Sequence, residues 1–225
     1  HIVRMLRDVT FPDIVAGMTN KKVRAIRSSR SLRPFTPRST AADAFVLARD
    51  RFVRGERIDL QEVAAELGIN RVTLYRWVGT RERLIGEVLC YFADRAWEIA
   101  GDRLPDRGPE YAARHFYRFL QAIQGFEPFQ RFVASDPEYA LRVLTSRHSV
   151  LQEHVIGLYR VLLEEQVAAK RLNLPRDLES LAYALVRISE AYLYNDIITG
   201  REPDLDQALQ VIAALLQAPW KSLRV

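Results

Sequence analysis

The chain has 225 residues, 48% hydrophobic and 27% charged, an ordinary globular composition. No apolar run approaches the ~18 residues of a membrane span, Arg4, Arg7, Asp8 and Asp13 interrupt the N-terminus where a signal peptide needs an apolar core, and one cysteine, Cys90, forms no internal disulfide and reads as a buried thiol. The net charge of +5 is uneven, because residues 1–38 hold nine Lys/Arg against two Asp/Glu while the rest is close to neutral. A cytoplasmic protein is expected.

Residues 1–38 are expected to be a flexible basic arm that binds phosphates without sequence preference, or else a solvated leader. Pro34 and Pro37 resist helix there. A helix then starts at Ser39 or Thr40, carries Ala41, Phe45, Ala48 and Phe52 on one stripe, and stops at Gly55. Asp59 caps a short second helix, with Glu62 reaching back as in a capping box. Its apolar face is Leu60, Val63, Ala64 and Leu67. Gly68 ends it, Ile69 points inward, and Asn70 caps a third helix over 71–78. Gly79 breaks that helix and Thr80 caps a fourth, which runs from about Arg81 to Gly101. Further helices are expected near 109–124, 127–134, 136–146 and 148–172, then from Pro175 to about Thr199 and from Pro203 to about Gln217. No segment alternates with a period of two, so the chain is expected to be all-α.

Two short helices joined by Gly68-Ile69-Asn70 form a helix-turn-helix candidate. Gly68 accepts the left-handed backbone that ends one helix sharply. The second helix can then brace the unit while the third enters the major groove. A generic helical hairpin shares these features, but the side chains point to DNA. Arg71 can bond a guanine edge bidentately, and Thr73 can bond a base or phosphate. Tyr75 can reach a phosphate through its hydroxyl, and Arg76 adds charge. Trp77 faces either the groove or the core of the unit. Thr80 and the first amides of the next helix form a phosphate site. Leu74 and Val78 should face the core.

The run from Leu60 to Val78, followed by Arg81-Glu82-Arg83-Leu84-Ile85, resembles the N-terminal domain of TetR-family regulators. The resemblance covers about 50 residues. It implies DNA contacts at Arg71, Thr73, Tyr75, Trp77 and Arg81, with Asn70 capping the reading helix. Gly79 departs from the basic or polar residue common there. The run Asn70 to Gly79 is similar to the QsdR-type actinobacterial subgroup, named for a regulator of lactone-signal degradation. These features divide the chain into an arm (1–38), a three-helix DNA-binding domain with the helix-turn-helix (39–84) and a larger helical domain (85–225).

The larger domain holds most of the aromatic residues. These are core, or they line a ligand cavity, for which Tyr91, Phe92, Phe116, Phe119, Phe132, Tyr159 and Tyr192 are candidates together with His154 and Asn195. Two apolar stripes, Leu178, Leu181, Leu185 and Ile188, and Leu205, Leu209, Ile212 and Leu216, either complete the monomer core or pair with their copies in a two-fold four-helix bundle.

An enzyme is not expected. The four histidines lack metal-ligand spacing, and neither a phosphate-cradling glycine motif nor a nucleophile elbow is present. No cofactor is expected. The reading is therefore a homodimer on a near-palindromic double-stranded operator, a repressor released by a small apolar or amphipathic effector. The QsdR resemblance alone makes that effector fatty-acyl or lactone-like. The alternatives are an activator, or an architectural or protein-binding helix-turn-helix without an effector.

Overall fold

Every regular element among the described residues of the computed structural model is a helix. The described residues are 39–102, 104, 108–146, 148–174, 177–219 and 223, so the basic arm over 1–38 lies outside them.

Three short helices open the fold: α1 (Ala41–Arg54), α2 (Leu60–Glu66) and α3 (Arg71–Val78). Their starts follow from the capping residues. Thr40 accepts from the Asp43 amide while Asp43 bonds back to the Thr40 amide, and Asp59 accepts from the Gln61 and Glu62 amides. The expected capping box on α2 does not form: Glu62 is turned away to accept from Arg51 at 2.8 Å. The same guanidinium bonds Glu66 at 2.9 Å, so one arginine of α1 holds the exposed edge of α2. The three helices enclose a small core of Ala44, Val63, Ala64 and Leu74, with Leu47, Leu67, Ile69, Trp77 and Val78 packed on it.

The long α4 (Arg81–Gly101) leads into the larger body. It is followed by α5 (Pro109–Gln124), α6 (Glu127–Ser135), α7 (Pro137–Thr145), α8 (Val150–Ala168), α9 (Leu178–Leu193), α10 (Asn195–Thr199) and α11 (Leu205–Leu215). Packing runs α8 against α9 and α4, α5 against α4 and α11, and α9 against α11. Helix α1 belongs to both parts. Ala44 faces the small core, while Ala48 and Phe52 join the large one beside Leu84 and Ile85.

Two segments end earlier than their periodicity implies. The helix expected over 148–172 stops at Ala168, beyond which Lys170 takes φ 56°. The helix expected to reach Thr199 breaks at Tyr194. There Asn195 engages in local polar bonds, accepting from the Thr199 hydroxyl at 2.7 Å and donating to the Glu202 carbonyl at 3.2 Å. Such side-chain bonds compete with the helical ladder.

The C-terminal stripes are a further correction. Leu185, Leu205, Leu209, Ile212 and Leu216 are buried inside the single chain. Helix α11 lays its apolar face on α5 and α9, so these residues complete the monomer core and are not an interface. Leu178, Leu181 and Ile188 are half-buried against the same core. What α8 and α9 leave outside is different: Val161 is 47% and Tyr183 52% exposed.

Candidate nucleic-acid interface and inner cavity

The connection between α2 and α3 is a tight reversal. Gly68 sits at φ 66°, where a side chain would strain the backbone. The Ile69 amide bonds the Ala64 carbonyl at 3.0 Å, and Asn70 accepts from the Val72 amide at 2.8 Å. Ser39 donates to the Leu67 carbonyl at 2.8 Å and ties the start of α1 to this turn. Leu74 is fully buried and orients α3. Arg71, Val72, Tyr75 and Arg76 are exposed on the other side, Val72 at 66% and Tyr75 at 55%. A helix held by one buried leucine thus presents two guanidinium groups, a phenol and an isopropyl group to solvent. This face can donate to guanine edges and phosphates and can meet thymine methyls. Thr80 caps α4 by accepting from the Arg83 amide at 3.2 Å.

A second feature lies in the larger body. A cavity of about 60 Å³ is walled by Leu89, Phe92 and Ala93 of α4, Phe119, Leu120 and Ile123 of α5, Phe126 and Phe129 at α6, and residues of α8 and α9. The α8–α9 wall carries a small polar cluster among Leu151, Val155, Val186 and Leu193. Tyr159 Oη lies 3.1 Å from Ser189 Oγ. Gln152 donates to the Leu144 carbonyl at 3.0 Å and also to Glu190. Arg187 bonds Glu190 at 2.8 Å and the Gln152 carbonyl oxygen. Burial holds the Glu190 carboxyl above its ordinary range, against the opposing pull of Arg187. The volume is well below the roughly 300 Å³ of a small drug-sized pocket, so such a ligand requires the walls to part.

The C-terminal part matches the family model described as tetracyclin repressor-like, C-terminal domain, over residues 107–217. Among solved structures, the R. erythropolis transcriptional repressor QsdR from the TetR family is 28% identical, with a TM-score of 0.75 over 79% of this chain and 94% of that chain. Residues 107–217 thus belong to the tetracyclin repressor-like C-terminal domain family, and the chain has a TetR-like fold. A Rhodococcus sp. RHA1 protein described as a transcriptional regulator shares the fold, with 21% identity and a TM-score of 0.51 over 83% of this chain and 100% of that one. No curated protein matches the sequence.

Within this TetR-like fold, the expected site residues fall into groups. Asn70, Arg71, Tyr75, Arg76 and Thr80 are exposed on α3 or at its flanks, and Thr73 is half-buried there. Trp77 is half-buried and packs on the small core. Arg81 departs from the group. Its Nε donates to the Ile58 carbonyl at 2.6 Å, and its guanidinium lies 4.5 Å from the Tyr139 ring centroid. It is therefore engaged between the three-helix unit and α7 and does not stand with the exposed face of α3.

Of the expected cavity residues, Phe92, Phe119 and Tyr159 line the cavity. The others do not. Phe116 stacks behind Tyr159 at 4.2 Å, Phe132 packs on Phe52, and Tyr91 lies beside Phe45. His154 pairs with Asp94 at 2.6 Å, Tyr192 is half-buried against the core, and Asn195 serves the α10 turn. Tyr194, one of the larger-domain aromatics, also lines the cavity, whereas Gln152, Ser189 and Glu190 were not anticipated. Ser189 had a visible signal: it stands midway between Leu185 and Leu193 on an otherwise apolar stripe. Cys90 is mostly buried, which pushes its thiol up to about 12. Among the described residues no helix is long and apolar enough to cross a membrane.

Proposed function

We propose that this chain is a homodimeric repressor of the QsdR type. Its unit over 39–84 binds a near-palindromic double-stranded operator, and its body over 85–225 senses a small molecule and forms the dimer. The observation that carries this reading is the exposed face of α3, where Arg71, Tyr75 and Arg76 project from a helix locked by buried Leu74. Arg71 and Thr73 read bases, Tyr75, Arg76, Trp77 and Thr80 hold the backbone, and Asn70 fixes the start of the helix. Two such helices, about 34–36 Å apart, would occupy successive major grooves.

The dimer face is proposed on α8 and α9. Two adjacent helices that each expose a large apolar residue, Val161 and Tyr183, can meet their own copies across a two-fold axis. Gly157 has open space above it on the same helix, which permits close helix approach. The effector is a small apolar or amphipathic molecule, fatty-acyl or lactone-like, entering the cavity. Since the closed cavity is smaller than such a ligand, binding favours a wider body, and only this differential affinity can shift the reading helices.

Selection of bound fragments from random duplex DNA, repeated with apolar ligands, tests the reading. Enrichment of an inverted repeat, lost on ligand addition, is expected. Recovery of unrelated sequences would favour an architectural role instead.

A further inference from the structure

The cavity is mainly apolar, and the few polar groups in its α8–α9 wall are chemically specific. Ser189 and Gln152 are buried, and the Glu190 side chain is only 14% exposed. A stable helical core does not need them, because well-packed apolar residues of similar volume stabilise such a site as well or better. Their remaining hydrogen-bonding capacity defines a ligand. The Tyr159–Ser189 contact uses one of two hydroxyl hydrogens, so the pair retains one to donate. Glu190 accepts from Gln152 on one oxygen and from Arg187 on the other. Each carboxylate oxygen has two acceptor positions, so Glu190 can accept again. The wall thus offers one donor beside one acceptor. Its charges already balance, with the Glu190 carboxylate matched by the Arg187 guanidinium. The opposite walls are aromatic and aliphatic, led by Phe92, Phe119 and Leu120.

We propose that this cavity selects an uncharged amide carried on an apolar chain, with the Tyr159–Ser189 pair donating to the amide carbonyl and Glu190 accepting from its N–H. The proposal rests on the reading of the cavity as the effector site and narrows its fatty-acyl or lactone-like effector to a fatty-acyl compound with an amide head group. An ester or lactone supplies the acceptor but leaves Glu190 without its donor. A free carboxylate supplies only acceptors and brings a second negative charge beside Glu190 in a low-dielectric site, where like charges repel strongly. Glu190 is therefore the residue that discriminates, and the hydroxyl pair is the residue set that positions the carbonyl.

The experiment uses the full chain and three probes of equal chain length: decanamide, methyl decanoate and sodium decanoate. Binding is followed by tryptophan fluorescence, since the Trp97 ring lies 5.4 Å from that of Tyr159. Decanamide is expected to bind roughly tenfold or more tightly than the ester, the difference one hydrogen bond to a charged group makes. Decanoate should bind more weakly still. Glu190→Gln should narrow the gap between amide and carboxylate, and Ser189→Ala should weaken amide and ester alike. Equal binding of amide and carboxylate by the wild type removes the amide assignment and leaves the effector site standing. An unchanged amide-to-carboxylate ratio in folded Glu190→Gln does the same. If that variant does not fold, the wild-type ratio and Ser189→Ala decide. If no probe perturbs the wild type, the cavity is not an effector site and both readings fall together.

Discussion

Phe52 of α1 stacks on Phe92 of α4 with ring centroids 5.8 Å apart and planes inclined by 29°. Phe92 also walls the inner cavity, and Phe52 sits two residues from the end of α1. A single aromatic contact therefore joins the cavity wall to the helix that supports the three-helix unit. Phe52→Leu keeps the site apolar while removing the stack. It should lower stability by about 1–3 kcal/mol. DNA affinity without ligand should survive, whereas ligand-induced release should shrink. Operator titrations with and without effector measure this, and full release in the variant would show that coupling runs elsewhere.

Arg81 provides a second test of the junction. Its bond to the Ile58 carbonyl and its position over Tyr139 predict a structural effect. Arg81→Ala should cost about 1–3 kcal/mol, as for loss of a hydrogen bond to a charged group. The slope of log K against log salt should stay the same. A phosphate contact would instead reduce that slope by about 0.9. Urea denaturation and a salt series distinguish the two.

The proposed dimer face separates from the core in a paired experiment. Tyr183→Glu places a charge on an exposed position of α9 and should give folded monomers by sedimentation. Leu185→Glu, two residues later, places the charge in the monomer core and should unfold the chain. A folded Tyr183→Glu dimer would move the interface away from α8 and α9.

Two histidines oppose each other in pH dependence. His115 is buried beside Trp97, donates Nε2–H to the Trp97 carbonyl at 3.1 Å, and burial lowers its pKa to about 4. The folded state therefore holds it neutral, and its contribution is fully present above the unfolded value of about 6.5. That contribution falls as pH drops from about 6.5 towards 4, by up to about 3 kcal/mol. His154 behaves oppositely. Its hydrogen bond to Asp94 raises its pKa, so its contribution is present below about 6.5 and is lost as pH rises through the raised value. In urea denaturation, His115→Leu should remove stability loss on the acid side, and His154→Gln should remove it on the alkaline side. Unchanged profiles in both variants would contradict these assignments.

Local chemistry made the three-helix unit legible. Thr40, Asp59, Asn70 and Thr80 all cap the helices expected of them, and Gly68 takes the left-handed turn. Periodicity also located the buried stripes of α9 and α11, but a stripe does not say what covers it. Leu185 and Ile212 face their own chain, while Val161 and Tyr183 carry no periodic signal and stand outside. Long side chains were the other blind spot. Arg81 looks like a phosphate ligand at a helix start until the Ile58 carbonyl, 23 residues earlier, is seen to engage it. The polar cluster in the cavity wall joins Gln152 and Glu190 across 38 positions, a distance over which spacing says nothing.

The central claim is that the exposed face of α3 reads sequence. Arg71 stands at the N-terminal end of that helix, where a guanidinium can pair with guanine O6 and N7. The direct measurement is a competition of wild type, Arg71→Ala and Tyr75→Phe against a library of single-base changes in the selected operator. Arg71→Ala should lose about 1–3 kcal/mol and relax preference at one base pair in each half-site. Tyr75→Phe should weaken specific and random DNA by similar, smaller amounts. Uniform weakening of every sequence by Arg71→Ala would make it a phosphate contact and contradict its reading role.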